Sequence, residues 1–353
     1  MANKSIGIKK SAGVIQRKSV ADSPEAWVKT APLFPDKHIP LLVTPAVDGI
    51  DLMAWAANNR PWIEELLLKH RALLFRGFPI RNPENFETFV NATSDGDLLE
   101  YVDRTTPRHS EGGKSDRVYI STIYPAEHSI NPHNEGTYWT QWARKLYFCC
   151  LVAPDEGGET PIYDVHHVFN RIDPAIRGRF VHKDWMLVRN YQDGFGLPWQ
   201  EVFQVETKEQ VEKYCTDHAI EYQWLADGHL RTRSKRAAVQ KHPMTGDPLW
   251  FNHAAFYHHT ALDPTTRDAL VMEFGIEGLP YNTWYGDDTP IDPDEIDNVR
   301  AAYAAEKIKF RWQAGDVLML DNMYIAHARE PYKGNRRIVV AMTEPVSTNP
   351  WKG

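Results

Sequence analysis

At 353 residues, with 42% hydrophobic and 25% charged residues, the chain can bury a large core and has the profile of a globular protein rather than a disordered one. A formal net charge of -7 without a dense basic block lacks the electrostatic footprint of a nucleic-acid binder. Three Cys, two of them adjacent in "KLYFCCLVAP", argue against a secreted disulfide framework, and no apolar run reaches the ~18 residues of a membrane span, so a cytoplasmic location is expected.

Residues 1–30 read as a loose leader, mixing Lys, Ser and Gly with few apolar anchors, and order is expected from "APLFPDKHIPLLVTP". "PWIEELLLKHRALLFRGFP" predicts a helix from about Pro61 to His70, then a strand closed by Pro79. "NPENFETFVNAT" restarts a helix, with Asn82 as N-cap and Pro83 at its first position. From Val118 the pattern turns to β, because "RVYISTIYP", "KLYFCCLVA" and "TPIYDV" are short runs rich in β-branched and aromatic residues. Helix returns in "HHVFNRIDPAIRGRF". Residues 190–245 combine a loop-like "YQDGFGLPWQEVF" with a helical "TKEQVEKYCTDHAI" and read as an insertion over a core. "DPTTRDALVMEFG" is helical, and "GDVLMLDN" and "RRIVVAMTEP" supply the last strands.

Strands on both sides of a mainly helical and irregular middle suit a mainly β fold of the jelly-roll kind with helices packed outside. One domain over 31–353 with a large helical and loop insertion is expected rather than two domains. The 12 Trp and 15 Tyr suggest a walled pocket for a small molecule.

Two imidazoles and one carboxylate on one face of a metal leave three coordination positions open, the arrangement of non-haem Fe(II) oxygenases. "NPHNEGTYW" sets His133 and Glu135 two residues apart, and the period of two would point both to one face if they lie on or just past a strand. His-x-Glu alone arises by chance in many chains, so support must come from elsewhere. "GDVLMLDNMYIAHAREPYKGNRRIVVAM" supplies it: a strand ends at Asp321-Asn322, His327 follows on a short connector, and a second strand opens with Arg336-Arg337.

On these residues the chain resembles the taurine dioxygenase and clavaminate synthase family of Fe(II)/2-oxoglutarate oxygenases, in the branch found in peptide-antibiotic biosynthesis. The resemblance covers most of the chain, including "ALLFRGF", "STIYP" and the "GGxT" turn of "APDEGGETPIYD". It implies a double-stranded β-helix (jelly-roll) core, iron held by His133, Glu135 and His327, and a co-substrate contact at Thr160. It also implies an Arg about ten residues past the distal His that pairs with the remote carboxylate of 2-oxoglutarate. The "RRIVV" alignment puts this role on Arg337, with Arg336 as the fallback, because neighbours on a strand face opposite ways. 2-Oxoglutarate chelates iron through its 2-oxo and C1-carboxylate groups, which leaves its C5 carboxylate for a bidentate guanidinium. With O2, its oxidative decarboxylation to succinate and CO2 arms the site to abstract hydrogen from a substrate C–H bond.

The implied function is hydroxylation of an amino acid or amino-acid-derived metabolite, free or presented on a peptidyl carrier protein. A desaturase or ring-forming oxidase of the same family is the alternative, and a non-catalytic jelly-roll binding protein the rival from another class. Asn252 and His253 of "WFNHAAFYHHT" are candidate substrate contacts, as are Phe195 and Trp199 in the insertion, whose Gly194, Gly196 and Pro198 suit a lid. Arg231 and Arg233 would meet a substrate carboxylate if the insertion folds over the pocket. The sulfonate-binding Arg of taurine dioxygenase falls on Ala341 here, which disfavours taurine, and retention of Glu135 disfavours halogenation.

Overall fold

The computed structural model describes residues 23–101, 103, 110–121, 124–192, 194, 196–225 and 228–353. Its backbone is an eight-stranded sheet in which the long strands Gln141–Val152 and Arg337–Ser347 lie side by side, antiparallel. Val317–Asp321 flanks Gln141–Val152 and pairs on its other edge with Ala72–Phe75, beyond which lie Leu41–Pro45 and Val28–Pro32. Val118–Ile120 and Ser110–Gly112 complete the opposite edge. Most of residues 1–30, the expected leader, lie outside the described residues, but Val28–Thr30 already pair with Val43–Pro45.

Both faces of this sheet are covered. Tyr147, Cys149, Val317, Met319, Val339 and Ala341 pack under the helices Leu52–Asn58, Arg60–His70 and Pro83–Thr93. Leu146, Phe148, Cys150, Leu318, Ile338 and Val340 point the other way, toward a three-stranded sheet of Ile130–His133, Ile325–Arg329 and Ile162–Asp164. Cys149 and Cys150 are fully buried strand residues, and burial pushes the Cys150 thiol up to about 12.

Local signals produced the helices where they were expected. The Asn82 side chain accepts from the Asn85 N–H at 2.8 Å with Pro83 opening the helix, and Asp173-Pro174 does the same for Pro174–Lys183. Residues 190–245 differ from the expectation. They carry strands Glu221–Trp224 and Leu230–Arg236, which join Trp185–Tyr191 and Tyr281–Tyr285 in a four-stranded sheet backed by helices Trp199–Phe203 and Lys208–Asp217. The strand under "LRTRSKR" gives no hydrophobic signal because its inward residues, Leu230, Thr232 and Ser234, are mostly polar. Among the described residues no helix is long and apolar enough to cross a membrane.

Charge is buried at one end of the eight-stranded sheet, against the helix Arg60–His70. Arg144 contacts Glu64 at 2.7 Å, Glu344 and, at 3.5 Å, Asp321; the neighbouring Lys145 reaches the same two glutamates at 2.8 and 2.7 Å. Asp321, fully buried, also lies 3.0 Å from His242 Nε2 and accepts from the Met323 N–H at 3.0 Å, which forms the turn into Ile325–Arg329. Breaking such a cluster by removing one partner costs far more than losing an exposed ion pair. Asp321→Ala should therefore destabilise the fold by about 3–5 kcal/mol, whereas Asp297→Ala, which breaks the exposed pair with Arg300, should cost less than about 1 kcal/mol. Urea unfolding midpoints of the two variants check this.

Candidate active site

His133 ends its strand directly opposite His327 on the neighbouring one, so antiparallel register alone brings the two rings to 4.3 Å between centroids. His327 lies within the strand Ile325–Arg329 rather than on the expected connector; the strand is short and exists because it is paired on both edges. Glu135 is not on a strand but in the turn that follows His133, so strand alternation is not what brings it to the site. Gly136, at φ 77°, carries that turn; a Cβ there would press on the Trp139 ring at 2.4 Å. One ligand atom from each of His133, Glu135 and His327 lies within 4.8 Å of the others.

The donor set fits a divalent metal. His133 Nδ1 lies 2.8 Å from the Asn131 carbonyl, which can only accept, so Nδ1 carries the proton and Nε2 the lone pair a metal requires. Tyr101 donates to Glu135 Oε2 at 3.2 Å and steadies the carboxylate. A second cluster of potential ligands, His38, Asp164 and His167, differs in kind. Arg71 already holds Asp164, Glu306 lies 3.3 Å from His167, and Arg171 holds Glu306, so this cluster is charge-compensated by cations of its own.

Two spaces meet at His133 and Glu135. A narrow compartment is lined by Tyr101, Ser121, Phe148, Thr160, His327, Arg329 and Arg336 as well as His133 and Glu135. Here the geometry corrects the order of the two arginines. Arg336 is mostly buried, with Nε donating to the Gly158 carbonyl at 2.9 Å and Nη2 to Thr160 Oγ1 at 3.3 Å. Arg337 is half-exposed and turned outward to Glu111, with Nε to Oε2 at 2.6 Å. Arg336 lies just before the strand Arg337–Ser347 and lines the compartment beside Phe148, whereas Arg337 opens that strand at a register irregularity and faces outward. Burial and the nearby Arg329 push the Arg336 guanidinium down to about 10, and among the described residues no carboxylate pairs with it. A buried cation in this position favours an anionic guest.

The second space is a cavity of about 410 Å³ that shares Ile130, His133 and Glu135 with the first. Tyr138, His253, Phe256, Tyr257 and Tyr281 form its aromatic wall, and Leu262 and Leu270 its apolar side. His253 stacks on Tyr257 (5.3 Å) and Tyr257 on Tyr281 (5.4 Å), and burial together with His133 pushes the His253 imidazole well down, keeping it neutral. Thr137 Oγ1 bonds its Nδ1.

Of the other sequence candidates, Asn252 is behind the wall, where its side chain donates to the Ala238 carbonyl at 2.9 Å and accepts from the Ala254 N–H at 3.0 Å. Trp199 packs edge-on against Trp224, away from the cavity. Arg231 and Arg233 face outward from their strand, bonded to Asn190 and to Asp288. Phe195 lies outside the described residues, although Gly196 reaches the cavity. Sequence reasoning missed Tyr101, Phe148, Arg329 and Tyr281, which stand in no recognisable motif. Phe256 and Tyr257 had a signal, the aromatic stretch around His253.

Residues 31–343 match the family described as "Taurine catabolism dioxygenase TauD, TfdA family". The chain belongs to this family. It is an Fe(II)- and 2-oxoglutarate-dependent dioxygenase. It is 39% identical over 284 residues to the dapdiamide synthesis protein DdaC of Enterobacter agglomerans, spanning 80% of this chain and 85% of that one. To a clavaminate synthase-like protein of Arabidopsis thaliana it is 25% identical over 327 residues, 88% of this chain and 94% of the other. Among solved structures the fold is similar to that of PvcB from Pseudomonas aeruginosa, with a TM-score of 0.54 at 15% identity over 91% of both chains.

Removing one leg of a three-ligand site lowers metal affinity and catalysis together. His133→Ala, Glu135→Ala and His327→Ala are each expected to abolish turnover while leaving the far-ultraviolet circular dichroism unchanged. Glu135→Ala should keep weak iron binding through the two imidazoles and the co-substrate. Full activity in any of the three removes that residue from the ligand set.

Proposed function

We propose that the enzyme hydroxylates an amino-acid-derived metabolite whose carboxylate is masked, as in an amide or a carrier-bound thioester, in a cytoplasmic biosynthetic pathway. The observation that carries the reading is the division of the site. Among the described residues, both guanidiniums at the ligands line the compartment with Thr160, and neither Lys nor Arg lines the aromatic cavity. A free α-carboxylate would enter that cavity without a charged partner, which is costly in an apolar enclosure. A volume of about 410 Å³ suits a small metabolite or the end of a larger one. The likeness to a protein named for dapdiamide synthesis supports a biosynthetic role, and a peptidyl carrier protein is the macromolecular partner this reading implies.

In this reading His133, Glu135 and His327 hold the iron, and Arg336 takes the C5 carboxylate of 2-oxoglutarate with Thr160 sharing the contact. Iron and 2-oxoglutarate together supply the activation of O2, with succinate and CO2 as co-products. The chain supplies orientation and dryness: Tyr101 steadies Glu135, Arg329 holds the carbonyls of Tyr124 (2.8 Å), Pro125 and His128 (2.6 Å) at the lip of the site, and the aromatic wall excludes water from the substrate face. The facing of the two sheets across this site supports a double-stranded β-helix core. Taurine fits poorly: four positions beyond Arg336, where a sulfonate-binding Arg would stand, is the buried apolar Val340.

Mass spectrometry of free amino acids, their amides and carrier-bound aminoacyl groups incubated with Fe(II), 2-oxoglutarate and O2 tests the proposal. A gain of one oxygen on the masked forms is expected. Loss of two hydrogens would instead make the enzyme a desaturase or cyclase, and preference for free amino acids would overturn the masked-carboxylate reading.

Loss of a charge-assisted bidentate contact should cost about 2–5 kcal/mol, roughly 30- to several-thousand-fold in apparent affinity. Arg336→Ala should raise the 2-oxoglutarate requirement by that amount, Thr160→Ala by less, and Arg337→Ala by less than about threefold because it loses only an exposed ion pair. Titration of 2-oxoglutarate against succinate formation checks the order.

A further inference from the structure

We infer that Asn322 is a positioning residue for the carboxylate ligand, acting through the backbone of Glu135 and not on substrate or metal directly. The inference rests on the reading of Glu135 as an iron ligand. Asn322 is fully buried in the turn between the strands Val317–Asp321 and Ile325–Arg329, the second of which carries His327. Its side-chain Oδ1 accepts from the Glu135 N–H at 2.8 Å, and Nδ2 donates to the Glu135 carbonyl at 3.0 Å and the Ala143 carbonyl at 2.8 Å. Its own carbonyl accepts from Asn134 Nδ2 at 2.6 Å, and its N–H donates to the Arg144 carbonyl at 2.7 Å.

The amide thus grips both polar atoms of one residue's backbone, which only a group with an acceptor and a donor side by side can do. Glu135 needs that grip. It lies past the end of its strand in a turn with Gly136 at φ 77°, so no ladder bond sets its direction, whereas His133 and His327 are set by strand register. The buckle therefore supplies for the carboxylate the orientation that pairing supplies for the imidazoles, and it ties that orientation to the turn that launches the His327 strand.

The test uses the full-length apo-protein titrated with Mn(II), with free Mn(II) read by electron paramagnetic resonance and the thermal midpoint of each apo-protein measured in parallel. Asn322→Ala is expected to weaken Mn(II) binding about 10- to 100-fold. In a Glu135→Ala background the same substitution should change it less than about threefold, because the carboxylate it positions is gone. Asn282→Ala removes a buried Asn whose Oδ1 accepts from the His259 N–H at 3.0 Å, away from the ligands. It should lower the thermal midpoint without changing Mn(II) affinity. If Asn322→Ala does not fold, Asn134→Ala, which removes only the reciprocal bond, carries the test with an expected loss of about three- to tenfold. Equal losses in both backgrounds, or none in either, overturn the inference. A Glu135→Ala protein that binds Mn(II) like the parent overturns the ligand assignment itself, and the inference with it.

Discussion

The turn Asp321-Asn322 faces two ways, and the architecture converges on it. Asp321 reaches into the buried cluster of Arg144 and His242, while Asn322 reaches across to the backbone of Glu135. Charges taken out of water are tolerable only when compensated in fixed geometry, so the cluster holds the end of the Val317–Asp321 strand against Gln141–Val152 at one place. From that place the chain turns once and delivers His327 opposite His133. Strand pairing sets His133 and His327 opposite each other, and the Asn322 amide holds the Glu135 backbone at the turn from which the His327 strand departs.

Electrostatics then divides the space around His133 and Glu135. On one side Arg329 and Arg336 are gathered with Thr160 in a compartment, with Arg336 mostly buried and held below its ordinary range by lost solvation. On the other, a neutral His253 joins a ladder of aromatic rings, and among the described residues no Lys or Arg lines the cavity. In the proposed reading such a division would sort guests by charge, an anionic co-substrate to one side and an uncharged substrate surface to the other. Both spaces touch His133 and Glu135, so in that reading the co-substrate and the substrate would face each other across these two residues.

What the sequence by itself determined were features set by nearest neighbours or by fixed spacing. The helix starts at Asn82-Pro83 and Asp173-Pro174 are local chemistry, because a capping side chain and a Pro at the first position need only the next three residues. The approximate positions of the long strands around Cys149 and Val339 were legible in runs of β-branched and aromatic residues, and the family resemblance carried His133, Glu135, His327 and Thr160 into one frame. Only the tertiary structure decided that Arg336 faces the compartment and Arg337 faces outward. The strand beyond them is buried on both faces from Ile338 to Met342, so hydrophobicity shows no alternation from which to read which face is which. The same limit hid the strand under "LRTRSKR", whose inward side is mostly polar, and the aromatic wall, whose members come together from Tyr138, His253 and Tyr281 only when separate sheets close on one another. Period and capping act over a few residues and survive in one dimension; facing and enclosure are relations between distant segments, and those exist only once the chain has folded.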